Sequence, residues 1–253
     1  EMEAQFNPVH TPADSVQFKN KNVVVLILES FGKEYVGSLN KTLEGGHYKG
    51  YTPFLDSLIQ KSLYFDYSFA NGRTSIDGMP SSLSSIPMFV EKFLLTPAAL
   101  NSLTSVAGEL HKKGYYTAFF HGAANGSMGF QAFSRSAGYQ DYYGRTEYNN
   151  DEDFDGNWAI WDEEFLQFFA NKMATFKQPF CTGIFTASSH HPYNIPERYK
   201  DVYKESSLPI HKCIRYSDHA LQRFFETASK EPWFNNTIFV LTADHTNQTE
   251  HPE

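Results

Sequence analysis

VVVLILESFG (residues 23–32) decides the fold: six apolar residues, enough for one buried strand, end abruptly in a carboxylate, Glu29. A run that is apolar at every position suits a strand covered on both faces, as in a parallel sheet sandwiched between helices. TIFVLTADHTN (237–247) repeats the pattern, its apolar run ending in Asp244 with His245 next. Open α/β sheets bind their ligands at the carboxyl ends of strands, so the two acids and the imidazole are expected at one edge.

Between these runs the chain alternates strand and helix patterns. Strands are predicted over 22–28, 63–71 (LYFDYSFAN), 115–122, 179–187 and 237–243, and helices from Pro53, from near Thr74, from Leu103 to Gly114, and over 158–172 and 211–228. The fold class read from this is α/β: a mainly parallel central sheet with helices on both faces. GRTSIDGMPSSLSSIP (72–87) is small and hydroxyl-rich, as expected of a tight loop that feeds a helix beginning near Thr74.

The 253 residues suffice for one large domain with a substantial core, and 23 Phe with 15 Tyr fit a packed globular chain. A formal charge of −8 with no cationic run argues against a nucleic-acid partner and against anionic lipid surfaces. No apolar run reaches the length of a membrane span, about 18 residues or more. Residues 1–21 are polar and lack a hydrophobic signal core, so they are expected to be a linker from something upstream, with 22–253 as the folded domain. Cys181 and Cys213 are expected to be buried thiols, too few for a disulfide framework.

Carboxylate oxygens, an imidazole nitrogen and a hydroxyl make a suitable shell for a divalent cation, so Glu29, Thr74, Asp244 and His245 are the candidate metal ligands. A neighbouring cation is also what turns a threonine hydroxyl into a nucleophile, and at a helix start Thr74 would meet unpaired backbone N–H groups. Each residue alone also has a bland reading, as N-cap, turn or helix-terminal carboxylate; their joint placement is the argument. Arg73 could neutralise a phosphate oxygen. His121 and His190 each follow a strand-like run and could contact substrate oxygens or protonate a leaving group. His191 should point the other way, His251 is undecided, and the acidic stretches at 151–153 and 163–164 are expected to be solvated faces.

In the order ILESFG, GRTSIDGMPSSLSSIP, FFHGAANGSMGF, TASSHHPY and LTADHTN, the chain resembles the lipoteichoic acid synthase and phosphoglycerol transferase branch of the sulfatase (alkaline phosphatase-like) superfamily. The resemblance covers residues 22–250. It implies that Glu29, Thr74, Asp244 and His245 are ligands to one divalent cation, Mn2+ first with Mg2+ or Zn2+ as alternatives. It further implies that Thr74 forms a covalent phosphothreonine and that His121 and His190 contact substrate. Family members are extracytoplasmic domains held to the membrane by N-terminal helices, and they continue beyond the point matching His245, so a membrane-anchored chain with a further C-terminal part is expected. Where the synthases carry a Trp and an Arg that grip glycerol phosphate, this chain has Met128 and Phe130, and Asn125 is the substitute polar contact, or else a turn residue.

The expected activity is transfer or hydrolysis of a lipid- or glycan-linked phosphoester through Thr74. The alternatives are a sulfuric ester hydrolase on sulfated glycans, or a catalytically silent metal- or glycan-binding domain. Formylglycine chemistry is disfavoured, because neither cysteine lies in the motif it needs and Ser85-Ile86-Pro87-Met88-Phe89 fails at its last position.

Overall fold

The apolar runs at either end of the chain become neighbouring strands. The computed structural model describes residues 17–247 apart from 89 and 205. Five strands, β1 (Asn22–Leu28), β2 (Tyr116–His121), β3 (Asp141–Tyr143), β4 (Phe180–Phe185) and β5 (Thr237–Ala243), form one sheet in the order β3-β2-β4-β1-β5. Every pairing is parallel. β1 therefore lies inside the sheet, paired on both edges and buried on both faces, which is why its sequence carries no polar position between Val23 and Leu28.

The period of two along β1 divides the core. Val24, Leu26 and Leu28 face a layer built on α6 (Asp162–Met173) and α7 (Ile210–Ala228), where Phe169 stacks on Phe224. Val25 and Ile27 face the opposite layer, with Met79 and Leu83 of α2 (Ser75–Ser84), Ala107 of α3 (Val106–His111), and Phe130 and Phe133 of α4 (Phe130–Ser136). Helices thus cover both faces. Fully burying one such side chain is worth roughly 1.5–3 kcal/mol, so the two layers dominate the favourable side of folding. The helix starting at Pro53, α1 (Pro53–Ile59), has its first free N–H groups taken by Asp218 of α7, which accepts from Phe54 N at 2.8 Å and Leu55 N at 2.9 Å.

Two sequence expectations are corrected here. LYFDYSFAN (63–71) forms no strand: Leu63, Phe65, Tyr67 and Phe69 are exposed, and no described strand lies beside the segment to complete a hydrogen-bonded ladder. The helix expected over 158–172 starts only at Asp162, because Asp155 Oδ1 accepts the backbone N–H groups of Asn157, Trp158 and Ala159 and holds them in a tight turn. Strand β3 was not foreseen, being three residues long. Cys181 and Cys213 are buried free thiols, as expected. The acidic stretches have local partners: Arg145 for Asp151, Tyr148 for Asp153, and Arg198 for both Glu163 and Glu164. His251 lies outside the described residues.

The loop after β4 is braced by a single buried carboxylate. Asp162, at the start of α6, accepts Ala187 N at 2.9 Å, Ser188 N at 3.1 Å and the Ser217 hydroxyl at 3.0 Å, while its own N–H donates to Ser188 Oγ. Burial, only partly offset by these bonds, raises the Asp162 carboxyl to about 6. A carboxyl whose folded value exceeds its unfolded one contributes stability that is present at low pH and is lost as pH rises through the folded value. Urea unfolding of wild type and Asp162→Asn should therefore show the wild-type advantage shrinking by up to about 3 kcal/mol between pH 4 and 7. A pH-independent difference would contradict this account of Asp162.

Candidate metal centre and active site

Strand register builds the centre. Leu28 pairs with Ala243, so the next residues, Glu29 and Asp244, leave the sheet side by side, and Asp244 N reaches back to Leu28 O. On the other side Ile27 pairs with Phe185, placing Thr186 to accept Glu29 N–H through its hydroxyl at 2.9 Å. Ser30, at φ 55°, turns the chain sharply; its N–H donates to Asp244 Oδ1 at 2.8 Å and its hydroxyl to Glu29 Oε1 at 2.7 Å. A non-glycine residue in the left-handed region carries strain, and here it is held by both carboxylates.

Glu29, Asp244 and His245 are all buried, and one ligand atom from each lies within 4.8 Å of the others. His245 Nδ1 donates to the Thr246 carbonyl at 2.7 Å, so the neutral ring presents the Nε2 lone pair inward. That lone pair stands 3.1 Å from Asp244 Oδ2 and 3.6 Å from Glu29 Oε1. Asp244 Oδ2 is buried and, among the described residues, makes no hydrogen bond. Three converging electron-rich atoms require a proton or a cation between them. Burial and then the Asp244 charge push the Glu29 carboxyl up to about 8. Burial works against the His245 imidazolium, but Asp244 and Glu29 outweigh it and raise that group to about 9. Two carboxylates and one imidazole fit a divalent ion, and the orphaned oxygen is the open valence it would fill.

Helix α2 brings its hydroxyls to this cluster by close approach. A Cβ on Gly78 would lie 2.5 Å from Asp244 Cβ, so only glycine lets the helix pass so near the ligand. The hydroxyl thereby set against the carboxylate is Ser75's: it donates to Glu29 Oε2 at 2.8 Å and lies 3.4 Å from His245 Nε2. Thr74 occupies the N-cap position of α2, yet its side chain makes no cap bond. Its hydroxyl donates to Asp77 Oδ2 at 2.7 Å and accepts from Lys92 Nζ at 2.6 Å. Arg73, immediately before it, is exposed.

The expected histidines divide by environment. His121 is buried at the end of β2 with its ring between Phe130 and Phe185; its Nδ1 donates to Phe185 O at 3.0 Å, and Nε2 is buried without a partner. Burial lowers the His121 imidazole to about 4. His190 donates through Nδ1 to His191 O at 2.9 Å, and burial lowers it while the charges of Asp244 and His245 act on it from nearby. Asn125 uses its amide to hold Glu147, with N–O distances of 2.9 and 3.2 Å, which is the turn role. Phe130 is core and Met128 lies at the surface. Sequence reading missed Ser75 as a carboxylate partner, and Asp77 and Lys92 as partners of Thr74. Lys92 lies 18 residues beyond Thr74 in a loop with no motif around it.

The parallel sheet, the helices on both faces and the cluster at the strand ends define an alkaline phosphatase-like α/β protein. The chain belongs to the sulfatase family, whose model matches residues 21–252. It is 26% identical over 235 residues to the lipoteichoic acid synthase-like protein YvgJ of Bacillus subtilis, covering 90% of this chain and 37% of that protein. An alkaline phosphatase superfamily protein from Vibrio parahaemolyticus superposes with a TM-score of 0.82 at 28% identity, covering 94% of this chain and 57% of that one. The lipoteichoic acid synthase LtaP of Listeria monocytogenes shares the fold, with a TM-score of 0.75 at 22% identity over 90% of this chain and 57% of that one. The chain thus spans little more than a third of the length of the curated relatives it matches.

Since a cation must displace the proton that the cluster otherwise holds, Mn2+ affinity should rise with pH between 6 and 9. Calorimetric titration checks this, and a flat profile would mean that the ion binds elsewhere. Gly78→Ala should weaken Mn2+ binding by about tenfold or more by pushing α2 away from Asp244.

Proposed function

We propose that this chain is the catalytic unit of a phosphoester transferase that works through a hydroxyl nucleophile at the start of α2. The observation that carries the reading is the buried convergence of Glu29, Asp244 and His245 beside that helix start, which needs a proton or a cation among its inward atoms. A divalent cation bound there, Mn2+ by the family resemblance, would polarise the ester and stabilise the negative charge that develops on it.

Thr74 Oγ1 attacks phosphorus, its proton passing to Asp77 Oδ2, to which it is already hydrogen-bonded. Lys92, at the same oxygen, neutralises charge on the phosphoryl oxygens as the bond forms, and Arg73 is close enough in sequence to assist. As phosphothreonine forms, the P–O bond to the leaving alcohol breaks and its oxygen takes a proton from solvent. A second alcohol or water then attacks phosphorus, the Thr74 Oγ1–P bond breaks, and Thr74 regains the proton held by Asp77. Held as they are by backbone carbonyls, His121 and His190 keep Nε2 as a proton acceptor in their neutral forms, that of His121 being buried. They therefore suit hydroxyl groups of the acceptor better than anionic phosphate oxygens, and His190 is the base for the incoming alcohol. The names of the lipoteichoic acid synthase relatives support a lipid- or glycan-linked phosphodiester as substrate, and the family resemblance supports an extracytoplasmic site of action on a membrane-anchored protein. No helix among the described residues is long and apolar enough to cross a membrane.

One observation favours a second nucleophile. Ser75, not Thr74, hydrogen-bonds Glu29 and approaches His245, so an adduct on Ser75 is the rival outcome.

Incubation with a phosphodiester and Mn2+, followed by peptide mass mapping, should find the added group on Thr74. Thr74→Ala should lose about 10³-fold or more in turnover while keeping the wild-type melting temperature. Modification of Ser75 instead would reassign the nucleophile, and faster turnover of an aryl sulfate than of any phosphodiester would sink the phosphoester reading. Lys92→Gln should weaken inhibition by inorganic phosphate by about tenfold, since a charge-assisted contact to the anion is removed.

A further inference from the structure

Trp158 is an exposed indole fixed in one place beside the centre. It sits at the tip of the turn that Asp155 closes, and its backbone N–H is one of three held by Asp155 Oδ1. That turn is tied to the end of β2: Ala159 bridges Ala123, and Ile160 N donates to Gly122 O. The indole N–H donates to His191 O at 2.6 Å, the same carbonyl that orients His190. Its ring stands edge-to-face with His190 at 4.6 Å and with His191 at 5.6 Å between centroids. Even so, 42% of Trp158 remains open to solvent.

A side chain this large, with its only polar atom already bonded, gains nothing from water at the exposed part of its ring. Holding it rigid removes the entropy cost that a mobile aromatic would incur on contact with a ligand. The surroundings choose the ligand. Trp158 is flanked by Asp155, Asn157, His190 and His191, so the exposed ring is one apolar plate within a polar rim rather than part of an oily groove. An acyl chain would find no continuous apolar surface there. A pyranose ring offers both halves of the match, an axial C–H face for the indole and equatorial hydroxyls for the neighbouring imidazole and carboxylate.

We propose that Trp158 is the floor of a sugar subsite, so that one of the two groups joined to the phosphoester is a hexose. This rests on the phosphoester reading above and narrows it from lipid- or glycan-linked to glycan-linked. The hexose stacks on Trp158 while His190, touching the same indole, meets the hydroxyl next to the phosphate. Trp158 thus determines specificity and takes no part in the bond changes.

Equilibrium binding in Mn2+-containing buffer tests this without turnover. The probes are the 1-phosphates of glucose, galactose and N-acetylglucosamine, with glycerol 1-phosphate and inorganic phosphate for comparison. Wild type should bind at least one hexose phosphate about tenfold tighter than glycerol phosphate, the gain expected from covering on the order of 60 Å² of apolar surface. Trp158→Ala should erase that preference by weakening the hexose phosphate alone, and Trp158→Phe should restore part of it. Melting curves of both variants check that the turn survives. Absence of any preference, no binding of the three hexose phosphates, or an equal loss for all ligands in Trp158→Ala would overturn the subsite. So would a preference for short-chain phosphatidylglycerol that depends on Trp158, which would make the plate a lipid contact. None of these results bears on whether Thr74 takes up a phosphoryl group, so the two readings fail separately.

Discussion

The parallel register between β1 and β5 is the constraint on which the centre depends. Pairing Leu28 with Ala243 leaves Glu29 and Asp244 as the first residues beyond the ladder, where both backbones are still held but both side chains are free to converge. Two carboxylates in such burial repel, and the molecule accepts this because the strands that carry them are anchored along seven paired positions, with β1 buried on both faces and β5 packing Phe239, Leu241 and Ala243 on one core layer. A slip of one residue would send one carboxylate to the opposite face of the sheet. The convergence of the two acids is thus a property of strand pairing, with His245, Ser30 and Ser75 arranged around a geometry the sheet has already set.

Much of this was legible because β1 and β5 are mostly apolar and end in chemistry. Their limits and the convergence of Glu29, Asp244 and His245 follow from a strand meeting a polar residue, and the burial read for both holds for β1 only, since Ile238 and Val240 of β5 are exposed. LYFDYSFAN misled for a physical reason: strand propensity expresses itself only where a neighbouring ladder exists, and the apolar side chains of this segment stand in solvent. Residues 158–161 look helical by periodicity, but the Asp155 carboxylate captures the amides of Trp158 and Ala159, and the carbonyls of Gly122 and Asp153 take those of Ile160 and Trp161.

The hydroxyls were legible only to within one residue. A helix start rich in Ser and Thr announces a nucleophile or a cap, but which hydroxyl faces which partner depends on rotation of the first helical turn. Ser75 takes Glu29, and Thr74 is clasped between an acid and an ammonium. Lys92 arrives through a loop whose path no local pattern encodes. The same holds for Trp158, whose sequence neighbours say helix while its indole hydrogen bond, 33 residues away in sequence, says rim of the site.

Gly78 joins two otherwise separate parts of the molecule. With less than a methyl group's clearance between α2 and Asp244, the helix start that carries Thr74 and Ser75 and the strand end that carries Asp244 and His245 cannot shift independently. The two parts therefore move as one rigid unit, and mutational drift along α2 is read out directly as a change in the distance between them. Residue 78 acts as a spacer of minimum thickness, and any side chain placed there would exchange chemical reach for bulk.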